Sequence, residues 1–115
     1  RRGENISSYE VELSICAPPA VLEAAVVPVD SELGEDDVMV FVVLREGASL
    51  TEVELVEFCE ERMAAFMVPR FVRFIDRLPK TPSEKVEKYL LKRQAEALRS
   101  ELWDREKVLG RTRRR

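Results

Sequence analysis

The stretch VMVFVVL, residues 38–44, decides the fold. It is short, almost continuously apolar and rich in β-branched residues, with one aromatic. Such a run fits a buried central strand. Gly47 ends it. Upstream, residues 30–37 hold Gly34 and five acids and read as a turn. Before the turn, residues 21–29 are dominated by valine and alanine and predict a second strand. Pro28 cannot donate to a ladder, so this strand belongs at an edge or ends there. Ser7 and Glu10 have the capping-box spacing, which predicts a helix from Ser7 carrying Tyr9, Val11 and Leu13; Pro18 and Pro19 stop it.

Downstream of the central run, Ser49 and Glu52 repeat the capping-box spacing. Leu55, Phe58, Cys59, Met63 and Phe66 then share one helical face, opposite Glu54, Glu57, Glu60 and Glu61. Pro69 breaks this helix. Residues 70–75, RFVRFI, predict a third strand, and LPKTPSEK, residues 78–85, predicts a loop without periodicity. A last helix follows from Val86, with Val86, Tyr89, Leu90, Arg93 and Ala97 at helical spacing, and reaches Leu102 or Trp103. Trp103 is expected to pack on Leu98 or Leu102, and residues 104–115 are expected to fray. The order helix, strand, strand, helix, strand, helix predicts one α+β domain over residues 1–115, with a three-stranded sheet and flanking helices.

Composition narrows the chemistry. The 115 residues are 45% hydrophobic and 36% charged, a globular balance. No apolar run approaches the length of a membrane span and no signal-peptide pattern opens the chain, so a cytoplasmic address is expected. There is no histidine, which removes the commonest general base and metal ligand. Cys16 and Cys59 lack any metal-ligand spacing and read as reduced core thiols. Charge is uneven: residues 1–61 hold 15 acids and 3 bases, residues 62–115 hold 7 acids and 16 bases. A basic half suits an anionic partner; two solvated faces that neutralise each other fit equally.

Three stretches taken in order resemble one family. RRGENISSYEVE (residues 1–12), AAVVPVDSELGEDDVMVFVVL (24–44) and VPRFVRFIDRLPKTPSEKVEKYLLK (68–92) are similar to the C-terminal domain of the adenylate-forming ligases. GENIS and LPKTP look most like the branch of fatty-acyl-CoA and crotonobetaine/carnitine-CoA ligases. The resemblance implies a mobile lid domain partnered by a large N-terminal adenylation domain of the same polypeptide, lying outside these residues. It implies ATP, Mg²⁺ and coenzyme A, bound mainly by or jointly with that domain, and a small-molecule carboxylate that the other domain selects. No nucleic acid and no membrane span are expected. A hinge residue would lie upstream of Arg1.

The resemblance also assigns residues. Lys85 matches the lysine used in adenylate formation. A carboxylate attacking the α-phosphate of ATP presses two anions together, and a fixed ammonium offsets the repulsion. At ~4 Å and an effective dielectric of ~20, one charge pair is worth about 4 kcal/mol, or roughly 10³ in rate if realised only in the transition state. Glu84 departs from the family, which usually has glycine there; it restricts the loop and adds an anion beside an anionic substrate. Gly3 and Glu4 match the loop thought to line the pantetheine tunnel in thioester formation. Met67 stands where the family often has a lysine for coenzyme A phosphate. Two other readings compete. One is a small α+β nucleic-acid- or protein-binding module, suggested by the alternation of base and aromatic in RFVRF. The other is a regulatory domain of a degenerate ligase.

Overall fold

The computed structural model describes residues 8–30 and 36–110. Helix α1 (Ser8–Ile15) leads to strand β1 (Val21–Asp30), and β2 (Asp36–Leu44) pairs with it antiparallel. Helix α2 (Glu52–Glu60) crosses to β3 (Phe71–Phe74), which lies parallel to β2. Helix α3 (Lys88–Ala97) is followed by a two-residue strand β4 (Trp103–Asp104), antiparallel to β3, and a short helix α4 (Arg105–Leu109). The sheet order is β1-β2-β3-β4.

The apolar run at residues 38–44 is the interior strand its composition predicts. Val38, Val40 and Val42 face one core with Val11, Ile15, Leu55, Val56 and Cys59 of α1 and α2. Met39, Phe41 and Val43 face the other, with Leu91 and Ala95 of α3. Both faces are therefore covered, and alternation by polarity is lost because each alternate position meets a different apolar layer.

β1 is the edge strand, as Pro28 requires. Its open side is closed by side chains. The Val26 N–H donates to the Glu12 carboxylate at 2.8 Å, and Pro28, next in the alternation, has no N–H. An edge so capped offers little for another strand to pair with. A bulge between Val21 and Glu23 then turns Val21 into the α1–α2 core.

Several expectations need correction. The sheet has four strands, not three. β4 is too short to leave a periodic signal, and the last helix stops at Ala97 to make room for it. Trp103 packs on the α1–α2 core, the opposite side from Leu98 and Leu102, because it begins a strand instead of continuing a helix. Residues 104–110 are not a frayed end: Asp104 is buried and Arg105 is 1% exposed. In α1 the buried pair is Val11 and Ile15, four apart, while Tyr9 is 70% and Leu13 56% exposed. In α3, Leu91 and Ala95 are buried and Tyr89 is 61% exposed. Cap Ser7 and the 31–35 turn lie outside the described residues.

The capping box of α2 belongs to Thr51 and Glu54, not Ser49 and Glu52. Thr51 Oγ1 accepts the Glu54 N–H at 3.1 Å and the Glu54 carboxylate accepts the Thr51 N–H at 2.9 Å. Starting here sets Leu50 and Leu55 at hydrophobic-staple spacing, and both pack on one core. The helix ends at Glu60; a turn and a 3-10 segment at Ala65–Met67 carry the chain to β3. Cys59 is a buried core thiol, as expected, but Cys16 is exposed.

Candidate functional site

Arg70, at the start of β3, organises the end of the sheet. Its Nε and Nη2 both donate to the Asp104 carboxylate at 2.9 Å, and its Nη1 donates to Asp37 at 2.9 Å. All three side chains are buried. Arg105 follows, donating its Nε to the Pro69 carbonyl at 3.0 Å and its N–H to the Arg70 carbonyl at 2.7 Å. This network is what draws β4 against β3. It also bears on the nucleic-acid reading of RFVRF. Arg70 is consumed by acids and Phe71 is buried, so these two residues give a core strand and not a stacking platform.

Past β3 the chain follows β2 for one more residue, the Ile75 N–H donating to the Val42 carbonyl at 2.9 Å. Leu78 is buried and anchors what comes next. Residues 78–85, expected as an aperiodic loop, form a tight hairpin. Lys80 pairs with Val86, and the Glu87 N–H donates to the Pro79 carbonyl at 2.9 Å. At the tip the Glu84 N–H donates to the Thr81 carbonyl at 2.9 Å, closing a turn with Pro82 at its second position. Glu84 then takes φ 70°, in the left-handed region. A turn followed by one left-handed residue is the common three-residue hairpin connection, and glycine usually fills that last position. The glutamate does not prevent the shape. It adopts the glycine conformation at a conformational cost.

Thr81 holds the backbone of Lys85 at both ends. Its N–H donates to the Lys85 carbonyl at 2.8 Å, and its Oγ1 accepts the Lys85 N–H at 3.1 Å. The same hydroxyl meets Ser83 Oγ at 3.2 Å. The Lys85 side chain is exposed, and among the described residues no carboxylate lies within ion-pair distance of it. Thr81 was missed in the sequence reading. Its signal was the T-P-S-x spacing, in which proline fits the second position of a turn and a hydroxyl fits the first.

Other lysines are engaged. Lys80 Nζ donates to Glu23 Oε2 at 2.6 Å and lies 3.9 Å from Glu84. The hydrogen bond it donates to Glu23, reinforced by the charges of Glu23 and Glu84 against a smaller desolvation penalty, raises the pKa of Lys80. Lys88 Nζ lies 2.6 Å from Glu12. The pairs of Lys80 with Glu23 and of Lys88 with Glu12 join the basic half of the chain to the acidic half, as does Arg70 with Asp37, so part of the charge asymmetry is neutralised internally. Beside the hairpin a groove of about 380 Å³ runs along the β1 edge, lined by Tyr9, Leu13, Leu22, Lys80, Glu84 and Val86 among others. Met67 is partly buried against the α1–α2 core. Gly3 and Glu4 lie outside the described residues. Among the described residues no group of three or more His, Cys, Asp or Glu could hold a metal ion, and no helix is long and apolar enough to cross a membrane.

Comparison with known proteins agrees with this fold. The AMP-binding enzyme C-terminal domain profile matches residues 10–85, ending on Lys85. A probable CoA ligase of Humulus lupulus is 47% identical over 92 residues, covering 78% of this chain and 16% of that protein. A crotonobetaine/carnitine–CoA ligase of Citrobacter koseri is 40% identical over 92 residues, 80% of this chain and 18% of that protein. Among solved structures, apo MatB from Rhodopseudomonas palustris superposes with a TM-score of 0.79 at 31% identity, over 84% of this chain and 19% of its own. A fatty acyl CoA synthetase of Mycobacterium tuberculosis gives 0.75 at 32% identity, over 83% and 19%. The chain thus spans less than a fifth of the length of each of these four. On sequence and fold, this chain belongs to the AMP-binding enzyme C-terminal domain family.

Proposed function

We propose that these residues are the mobile C-terminal domain of an ATP-dependent acyl-CoA ligase, and that Lys85 serves the first half-reaction, carboxylate plus ATP to acyl-adenylate and pyrophosphate. The observation that supports this most is the hairpin. Thr81 fixes the Lys85 backbone from both sides, and beside the tip an exposed ammonium is left without a carboxylate partner among the described residues. An unneutralised charge on a rigid support suits a group that must meet the α-phosphate of ATP in a site formed with another domain. Substrate would be carried by the large N-terminal domain of the same polypeptide. Mg²⁺ is assigned there too, since the described residues offer no ligand cluster.

The second half-reaction, attack of coenzyme A on the adenylate, is assigned to the segment around Gly3 and Glu4. Support comes only from the sequence resemblance of GENIS. Substrate choice is assigned to the other domain: relatives carry names as different as 2-methylpropanoate–CoA ligase, trans-cinnamate:CoA ligase and crotonobetaine/carnitine–CoA ligase. A cytoplasmic address belongs to the same proposal. Two relatives are named peroxisomal, so fractionation of the full-length protein distinguishes the two compartments.

The deciding experiment is Lys85→Ala in the full-length polypeptide. ATP–pyrophosphate exchange should fall by roughly 10³, the value of one well-placed charge. Thioester formation from preformed acyl-adenylate should survive. Unchanged exchange would remove Lys85 from the mechanism. The isolated 115 residues should form no acyl-CoA.

A further inference from the structure

Two ion pairs hold the Lys85 hairpin from either side. Lys80 reaches Glu23 at 2.6 Å, across 57 positions of sequence. Lys88 reaches Glu12 Oε2 at 2.6 Å, and that oxygen also accepts the Val26 N–H at 2.8 Å. Both glutamates come from α1 and β1, and neither belongs to the hairpin. The pairing of Lys80 with Val86 sets those two side chains on one face of the hairpin, and Thr81 and Lys85 on the other, because neighbouring side chains of a strand alternate. Lys80 and Val86 face the β1 groove, so an anchor on that inner face aims Lys85 outward.

These side chains are 22–40% exposed, and ion pairs open to solvent contribute little to folding. Catalysis depends far more steeply on placement, and a misplacement of ~1 Å can cost 10²-fold in rate. A pair that scarcely affects melting but strongly affects one half-reaction is therefore a positioning device. We infer that Glu23 and Lys80, with Glu12 and Lys88 as the second anchor, are positioning residues for Lys85: they lock the hairpin on the β1 edge so that its ammonium is presented at a fixed place during adenylate formation, without touching substrate. The inference rests on the role proposed for Lys85.

The test uses the full-length polypeptide, with Lys80→Met, Glu23→Ala, both together, the exchange Glu23→Lys/Lys80→Glu, and Lys85→Ala. The exchange is made in a Glu84→Gly background, since Glu84 lies 3.9 Å from Lys80 and would repel a glutamate there. Each single variant should lower kcat of ATP–pyrophosphate exchange on the order of 10- to 100-fold, with KM for ATP, melting temperature and thioester formation from preformed adenylate unmoved. The double variant should be no slower than either single, and the charge exchange should recover most of the rate. If Lys80→Met is slow while Glu23→Ala is not, or the charge exchange fails to recover, Lys80 touches substrate and positioning is wrong. If melting and both half-reactions fall together, the pair is structural only. If the single variants match wild type while Lys85→Ala abolishes exchange, the anchor is idle and Lys85 keeps its role. If Lys85→Ala leaves exchange intact, the reading beneath the inference fails instead.

Discussion

Glu84→Gly should stabilise this domain, although glycine substitutions usually destabilise. Glu84 sits at φ 70°, where a β-carbon crowds the following carbonyl. For an ordinary residue that conformation costs about 1–2 kcal/mol. Glycine removes the cost but gains freedom in the unfolded chain, worth about 0.4–1 kcal/mol in the other direction. The net gain is about 0.5–1 kcal/mol, and for a chain of 115 residues it corresponds to a rise of roughly 2–4 °C in Tm. Glu84→Ala is the control. It also removes the carboxylate and its 3.9 Å approach to Lys80 but keeps the β-carbon in the strained region. The difference between the two variants therefore isolates the backbone effect from the charge effect. Thermal unfolding of wild type, Glu84→Gly and Glu84→Ala under one buffer condition is sufficient. A glycine variant melting at or below the alanine variant would refute the hairpin geometry, because in an unstrained position the ordering reverses.

Further outcomes follow from the buried groups. In the full-length polypeptide both Glu84 variants should quicken ATP–pyrophosphate exchange, by no more than about fivefold, since each removes one solvated anion next to Lys85 and a charge pair in water is worth at most about 1 kcal/mol at ~4 Å. Arg70→Met leaves Asp37 and Asp104 buried without their shared guanidinium and should cost about 3–5 kcal/mol in urea unfolding; a loss under 1 kcal/mol would mean the network contributes little. Burial is the main cause pushing the Cys59 thiol up to about 12. The folded state then holds a proton that the unfolded chain releases, so this contribution is intact below pH ~9 and is lost as pH rises toward about 12, at most about 1.4 kcal/mol per pH unit. A disulfide reagent should label Cys16 in the native protein, slowly because burial and the nearby Glu12 and Glu23 raise its pKa, and should reach Cys59 only on unfolding. Val11→Ala and Ile15→Ala should each cost about 1–4 kcal/mol, whereas Leu13→Ser on the exposed face should change stability by less than about 0.5 kcal/mol.

The sequence by itself determined a good deal. Residues 38–44 pointed to an interior strand, since the apolar run is continuous, too short for a typical helix and rich in β-branched residues. Pro28 placed its neighbour at the edge. The alternation of strands and helices established an α+β domain, and the order of the GENIS, VMVFVVL and LPKTPSEK segments marked the family. The role proposed for Lys85 rests on the same ground: its position in a family pattern is read along one dimension. What the sequence left undecided depended on contacts between distant residues. Two overlapping capping boxes, at Ser49 and Thr51, satisfy the same local rule; packing of Leu50 on the core with Leu55 chooses the second. Tyr9 and Leu13 have the hydrophobicity of core residues, but only docking on β1 decides that Val11 and Ile15 face inward. β4 is recruited by an ion pair 34 positions away, and strand propensity over two residues cannot reveal it. The same holds at the site. The glutamate at position 84 reads locally as an obstacle to a glycine turn, yet the hydrogen bonds of Thr81 with Glu84 and Lys85, and that from the Glu87 N–H to the Pro79 carbonyl, over-determine the hairpin and hold Glu84 at positive φ. The acid-rich first half and base-rich second half are visible in the sequence as a charge imbalance. Only the fold pairs Glu12 with Lys88, Glu23 with Lys80 and Asp37 with Arg70, because ionic attraction acts through space and is blind to order along the chain.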